Sequence, residues 1–223
     1  MIDKIKSELY NASLITKPAN PNYYKTNKTV YNLKFGYLQS FTKHLSQDEI
    51  INIIDSYDDS SFELSIITAE LIGKINSFDI AFDKFKSFIK YVDNWATSDK
   101  LSQAFKIIRK VPSGIDYILP LLNSNNPWEV RVGMITILNQ LNSEANYSII
   151  LKKIKEIKAT GYYVDMGLAW LLAEMAATNS KLIFEFIEAN FVNQFTANKT
   201  LQKIRESNKI DKEIKDETYK YKK

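Results

Sequence analysis

The chain has 223 residues, 45% hydrophobic and 25% charged, with a net charge of +4 from 30 basic and 26 acidic side chains. That length supports one well-buried domain, and so mild a basic balance permits a polyanionic partner without demanding one. The lack of cysteine excludes disulfides, thiolate nucleophiles and cysteine-based metal sites, while a single histidine, His44, excludes histidine triads and disfavours a dedicated zinc site.

A first helix is predicted over residues 2–13, with Ile5, Leu9 and Leu14 on one side. Across residues 18–24, Pro18 and Pro21 with Asn20 and Asn22 argue against regular helix before Tyr23 and Tyr24. Helical periodicity resumes near Val30 and runs through Leu33, Phe35, Leu38 and Phe41, and His44 reads as a solvated residue at a helix end. Ser46-Gln47-Asp48-Glu49 resembles a capping box opening a helix over residues 50–57, and Asp58-Asp59-Ser60-Ser61 caps the next one.

From there the chain repeats itself. Phe62, Trp95, Trp128 and Tyr162 open four segments spaced by 33, 33 and 34 residues. A period of that size marks stacked helical pairs. With the aromatic as position 1, position 3 is Leu64, Thr97, Val130 and Val164, and position 7 is Thr68, Leu101, Met134 and Leu168. Position 10 is Leu71, Ala104, Ile137 and Leu171, and position 14 is Ile75, Ile108, Leu141 and Met175. These apolar or small residues make one helical face. Partner helices are predicted over residues 78–92, 114–122, 145–157 and 181–189, with Pro127 in the first turn of its helix and a last helix over 198–206. The expected architecture is all-α: a HEAT-like helical-repeat solenoid, an α-α superhelix, in a single domain over residues 1–208. A charged, frayed C-terminal tail is expected over residues 209–223.

Two positions depart from the repeat. Position 5 is Ile66, Asp99, Val132 and Met166, and position 9 is Glu70, Gln103, Thr136 and Trp170. One carboxylate thus replaces a hydrophobe, and one indole replaces a polar residue. On a helix, Trp95 and Asp99 lie one turn apart, a pairing suited to stabilising a cationic centre. The plain alternative has Trp95 in the core and Asp99 capping a helix that begins near Lys100. Trp170 would ordinarily be core. Arg131 reads either as an exposed phosphate contact, whose truncation would leave the fold unperturbed, or as a surface arginine paired with Glu129. Lys199, Lys203 and Arg205 form a basic group that suits either nucleic acid or solvent. No phosphate loop, nucleotide fingerprint or metal-binding acid cluster is present in the sequence.

The order Asn94-Trp95-Ala96-Thr97-Ser98-Asp99, Asn126-Pro127-Trp128-Glu129-Val130-Arg131 and Tyr162 through Trp170 resembles the AlkD-like bacterial DNA alkylation repair family over about residues 30–208. The resemblance implies HEAT-like-repeat DNA glycosylases that remove cationic N3- and N7-alkylpurines from duplex DNA without a metal or other cofactor. It implies Asp99 as the catalytic carboxylate, flanked by Trp95 and Trp170, with Arg131 and Trp128 contacting DNA alongside Lys199, Lys203 and Arg205. The chain departs from the pattern at residues 18–24, where active members carry a basic minor-groove helix. It departs again around Trp170, where Asp165, Met166 and Ala173 stand in place of basic residues. The expectation is weak, sequence-independent binding of duplex DNA with excision weak or lost. The alternatives are an active alkylpurine glycosylase and a helical-repeat adaptor for a protein partner. A monomer is expected, and a cytoplasmic location too, since no apolar run approaches the roughly eighteen residues of a membrane span and the start does not read as a signal peptide.

Overall fold

The structure, a computed structural model, describes residues 1–17 and 21–222. Its secondary structure is helical throughout, and the described residues hold no strand beyond an isolated bridge between Thr29 and Ser61. Two compact units divide the chain, Met1–Val111 and Pro112–Lys223.

In the first unit α1 covers Ile2–Ser13, α2 Pro21–Tyr24, α3 Phe35–Leu38 and α4 Gln47–Asp55. Next come α5 at Phe62–Ile72, α6 at Phe78–Ile89 and α7 at Trp95–Ala104. The expected capping box closes α4: Ser46 accepts the Glu49 N–H while the Glu49 carboxylate accepts the Ser46 N–H. Ser61 caps α5 by accepting the Leu64 N–H. Helix α5 packs along α7, and the two backbones come so close that a Cβ on Gly73 would lie 2.3 Å from the Ala104 carbonyl oxygen.

Residues 30–34 do not continue a helix. The Glu63 carboxylate, fully buried, accepts the N–H groups of Tyr31 at 3.1 Å and Leu33 at 3.3 Å, and Asn32 turns left-handed with φ of 59°. Thr29 meanwhile accepts the Phe62 N–H. The buried carboxylate thus takes backbone donors, and the start of α5 a backbone acceptor, that a helix would have used, so helical structure resumes only at Phe35. The expectation of no regular helix across residues 18–24 falls partly on residues 18–20, outside the described residues. The remainder forms the single turn of α2, with Pro21 at its first position, where a missing N–H is tolerated. His44 is exposed beyond the 3₁₀ turn Gln39–Thr42, as expected.

The second unit contains α8 at Gly114–Ile118, α9 at Pro127–Thr136, α10 at Tyr147–Ile154 and α11 at Tyr162–Ala176. It ends with α12 at Ser180–Glu188, α13 at Gln194–Glu206 and α14 at Lys212–Glu217. Helices α9, α11 and α13 pack side by side in sequence order. Pro120 stops α8 early and a 3₁₀ turn, Leu119–Asn123, completes that element. Helix α9 widens into a π turn at Ile137–Leu141. Asn193 accepts the Thr196 N–H and so starts α13 four residues before the predicted position 198. The predicted repeat face is the core: all residues at positions 3 and 7 are buried, and at positions 10 and 14 only Ala104 and Leu141 are partly exposed.

The tail is not frayed. Ile210 and Thr218 are buried, Tyr221 stacks on Phe184 with centroids 4.7 Å apart, and Arg205 donates to the Thr218 hydroxyl at 3.0 Å. Ile210, Ile214, Thr218 and Tyr221 fall at helical spacing, an apolar face concealed by the surrounding lysines and acids.

Candidate functional site

Asp99 lies inside α7 and does not open a helix. Asn94, fully buried, is the cap, accepting the Thr97 N–H at 2.9 Å. Trp95 therefore begins the helix and Asp99 follows one turn later on the same face, both half-buried. This discards the reading of Asp99 as a helix cap and leaves the indole–carboxylate pair intact.

The turn α2 builds an aromatic wall against the Trp95 member of that pair. Tyr24 stacks on Phe62 with centroids 4.1 Å apart and lies tilted against Trp95 at 6.0 Å. Tyr23 meets Trp95 edge-on at 5.9 Å, and its carbonyl accepts a long 3.5 Å hydrogen bond from the indole Nε1. Burial raises the Tyr24 phenol above its ordinary range, with Tyr23 and Glu63 adding to the effect, so Tyr24 stays neutral. Ring faces beside a carboxylate favour a cation and not an anion. Tyr23 and Tyr24 were absent from the predicted site because the prolines before them read only as a break. Pro21 at the first position of a turn that ends, after Asn22, in two aromatics was the available signal. Glu63 is already used structurally: burial raises its carboxyl above the ordinary range, while the loop N–H groups partly offset this.

The other predicted residues lie in the second unit. Arg131, expected at the surface, is buried at 5% exposure. Its Nη1 donates to the Tyr163 carbonyl at 2.8 Å, and its guanidinium lies 5.9 Å from the Tyr163 ring centre. Position 4 of the repeat faces inward, where Ser65 and Ser98 are also fully buried, so an arginine there is drawn into the packing between α9 and α11. Its expected partner Glu129 instead accepts from the Ser124 hydroxyl at 2.6 Å. Trp128, half-buried, lies 5.0 Å from the Tyr163 ring.

Trp170 is half-buried and not fully in the core; the Lys203 ammonium lies 5.8 Å from its ring. Both line a cleft of about 330 Å³ that also holds the Glu174–Lys209 ion pair. Lys199 donates to the Gln202 side chain at 3.0 Å, and the Arg205 guanidinium sits over the Tyr219 ring besides binding Thr218. Among the described residues no group of three or more acidic or histidine side chains is placed to hold a metal ion. None of the described helices is long and apolar enough to cross a membrane.

Comparison with curated proteins finds none that matches the chain. A family model described as DNA alkylation repair enzyme does match, over residues 6–207, a span taking in α5, α7, α9, α11 and α13 with every predicted site residue. With that match over most of its length and the helical-repeat fold it carries, the chain belongs to the DNA alkylation repair enzyme family.

Proposed function

We propose that this HEAT-like-repeat protein binds duplex DNA weakly and without sequence preference, and that its excision of cationic N3- and N7-alkylpurines is slow or lost. Asp99 and the faces of Trp95 and Trp170 are the groups assigned to a cationic base or to the oxocarbenium-like sugar left by its departure. A base already carrying positive charge leaves without protonation, so the mechanism needs no general acid, metal or cofactor. Trp128, Lys199, Lys203 and Arg205 are the proposed DNA contacts on the second unit, and the protein is proposed to act as a cytoplasmic monomer. Residues 1–208 are the proposed functional domain, with residues 209–223 as its appended end.

The observation that carries this reading is where the cations go. Arg131 is buried and bound to the Tyr163 carbonyl, and Arg205 is bound to Thr218, so of the four cations predicted to contact DNA fewer remain to neutralise phosphates. With Lys199 and Lys203 as the main contacts and Arg205 as a partial one, about two or three phosphates are neutralised. The logarithm of affinity should then fall against the logarithm of salt with a slope of roughly −2 to −3, in a dissociation range of about 10⁻⁴ to 10⁻⁶ M at physiological salt. Fluorescence anisotropy of a labelled duplex at several salt concentrations tests this. Nanomolar binding at physiological salt would overturn it. Asp99 one turn from a Trp95 walled by two tyrosines favours a second reading, an active alkylpurine glycosylase, which release of methylated base distinguishes.

A further inference from the structure

The aromatic wall is made by a segment that one buried cation ties to Asp59 and to the loop leading into α7. The Lys28 side chain is 4% exposed, and its ammonium lies 2.8 Å from Asp93 and 3.1 Å from Asp59 while donating to the Tyr91 carbonyl at 2.7 Å. A lysine has three N–H donors, and three acceptors surround this one. Asp93 accepts in addition from the Thr26 hydroxyl at 2.7 Å, the Asn27 N–H at 3.1 Å and the Asn94 amide at 2.8 Å. Asp59 is fixed from the other side by the Tyr57 hydroxyl at 2.6 Å, which also contacts Ser65 at 2.8 Å.

These contacts join two stretches of chain distant in sequence. Tyr23 and Tyr24 lead through Lys25, left-handed with φ of 58°, directly into Thr26, Asn27 and Lys28. On the other side Asp93 and Asn94 lead directly into Trp95, and Asn94 caps the helix that carries Asp99. With Lys28 buried while Asp93 and Asp59 keep 26% and 40% of their side chains exposed, the cluster contributes little net stability compared with apolar packing, whereas it does fix geometry. An apolar side chain in place of Lys28 could fill the space but could not set the register of the tyrosine turn on α7.

We propose that Lys28 is a positioning residue for the Trp95–Asp99 site: by clasping Asp93, Asp59 and the Tyr91 carbonyl it seats the Tyr23–Tyr24 turn on the Trp95 ring. This rests on the reading of Trp95 and Asp99 as a cation-stabilising pair. Lys28 touches neither residue in the contacts described above, and acts on the site through the backbone between Lys28 and Tyr24 and between Asp93 and Trp95.

The test uses the full chain labelled with 5-fluorotryptophan, its three resonances assigned by single Trp→Phe variants. In Lys28→Met the Trp95 resonance should shift and become more accessible to solvent, while those of Trp128 and Trp170, in the other unit, stay in place. Lys28→Arg, which keeps the charge and the donors, should return the Trp95 resonance most of the way. An unchanged Trp95 resonance in Lys28→Met, or equal shifts of all three, would overturn the proposal. Should Lys28→Met fail to fold, Thr26→Val decides, since it removes one hydrogen bond and no charge: a smaller Trp95 shift supports the clasp, and no shift overturns it. In a second arm, wild type and Lys28→Met are titrated with a duplex containing 7-methylguanine and with its undamaged counterpart. Preference for the methylated duplex should fall by about twofold to fivefold, the worth of an exposed cation–π contact, with affinity for the undamaged duplex unchanged. Equal losses on both duplexes would count against positioning. If wild type shows no preference, the cation-site reading fails by itself, and the fluorine resonances still decide the role of Lys28.

Discussion

Replacing Arg131 by alanine should destabilise the fold by about 2–4 kcal/mol. The guanidinium donates from a buried position to the Tyr163 carbonyl at 2.8 Å, and a hydrogen bond from a charged donor is worth about 1.5–3 kcal/mol. Its contact with the Tyr163 ring adds about 0.5–1 kcal/mol. Its buried methylenes contribute about 0.8 kcal/mol each. Against these stands relief of the desolvation a buried cation suffers, an offset of several kcal/mol, so the net lies well below the sum. Arg131→Met keeps the stem and should recover about half of the loss, because methionine fills irregular gaps well. Urea unfolding followed by circular dichroism supplies both values, and unchanged m-values would show that stability changed without a change in the surface exposed on unfolding. The salt dependence of DNA binding should barely move in either variant, since Arg131 is buried and bound to the Tyr163 carbonyl. Stability changes under about 0.5 kcal/mol together with a salt slope flattened by about one unit would refute this reasoning and return Arg131 to the surface.

Three further outcomes follow from contacts described above. Asp93 titrates below its ordinary value of 3.8: burial alone would raise it, but Lys28, Thr26 and Asn94 outweigh that. Its stabilisation is therefore complete above about pH 4 and is lost as pH falls through the lower folded-state value. Asp93→Asn should lower the melting temperature at neutral pH and flatten its decline in acid; an unchanged acid limb would count against the clasp. Glu63, raised by burial, works in the opposite sense, disfavouring the fold when ionised and relieved on acidification, so the comparison is made between variants at each pH. Gly73→Ala should cost about 1–3 kcal/mol or more through collision of the new Cβ with the Ala104 carbonyl, and a melting temperature equal to wild type would show that α5 and α7 can separate there. Deleting residues 209–223 should destabilise the second unit by about 3 kcal/mol, from the burial of Ile210 and the Tyr221–Phe184 stack, whereas a frayed tail would be removed without effect.

The repeat helices and their buried face were legible because steps of three and four recur at a fixed period, and hydrophobic periodicity survives whatever the neighbouring helices do. Caps at Ser46 and Ser61 were legible for the same local reason: the side chain that closes the helix sits within three residues of the N–H it accepts. Hidden were the features decided by distant partners. Nothing near Val30 announces that Glu63, some thirty residues on, will take the backbone N–H groups of Tyr31 and Leu33. Arg131 misled because position 4 is polar in every repeat, and the sequence does not show that Ser65 and Ser98 are buried there while Asp165 is partly exposed. At the candidate site the Trp95–Asp99 pairing could be read from a four-residue spacing, while the tyrosine wall required knowing which loop α7 would draw against itself.

Base release from a duplex containing N7-methylguanine tests the central claim most directly. The protein is incubated with the duplex and free 7-methylguanine is measured over time, beside a reaction without protein and one with Asp99→Asn. The account predicts release close to the spontaneous rate, changed little by the Asp99 substitution. Robust release abolished by Asp99→Asn would contradict it, and would establish Asp99 as the catalytic carboxylate of a working alkylpurine glycosylase.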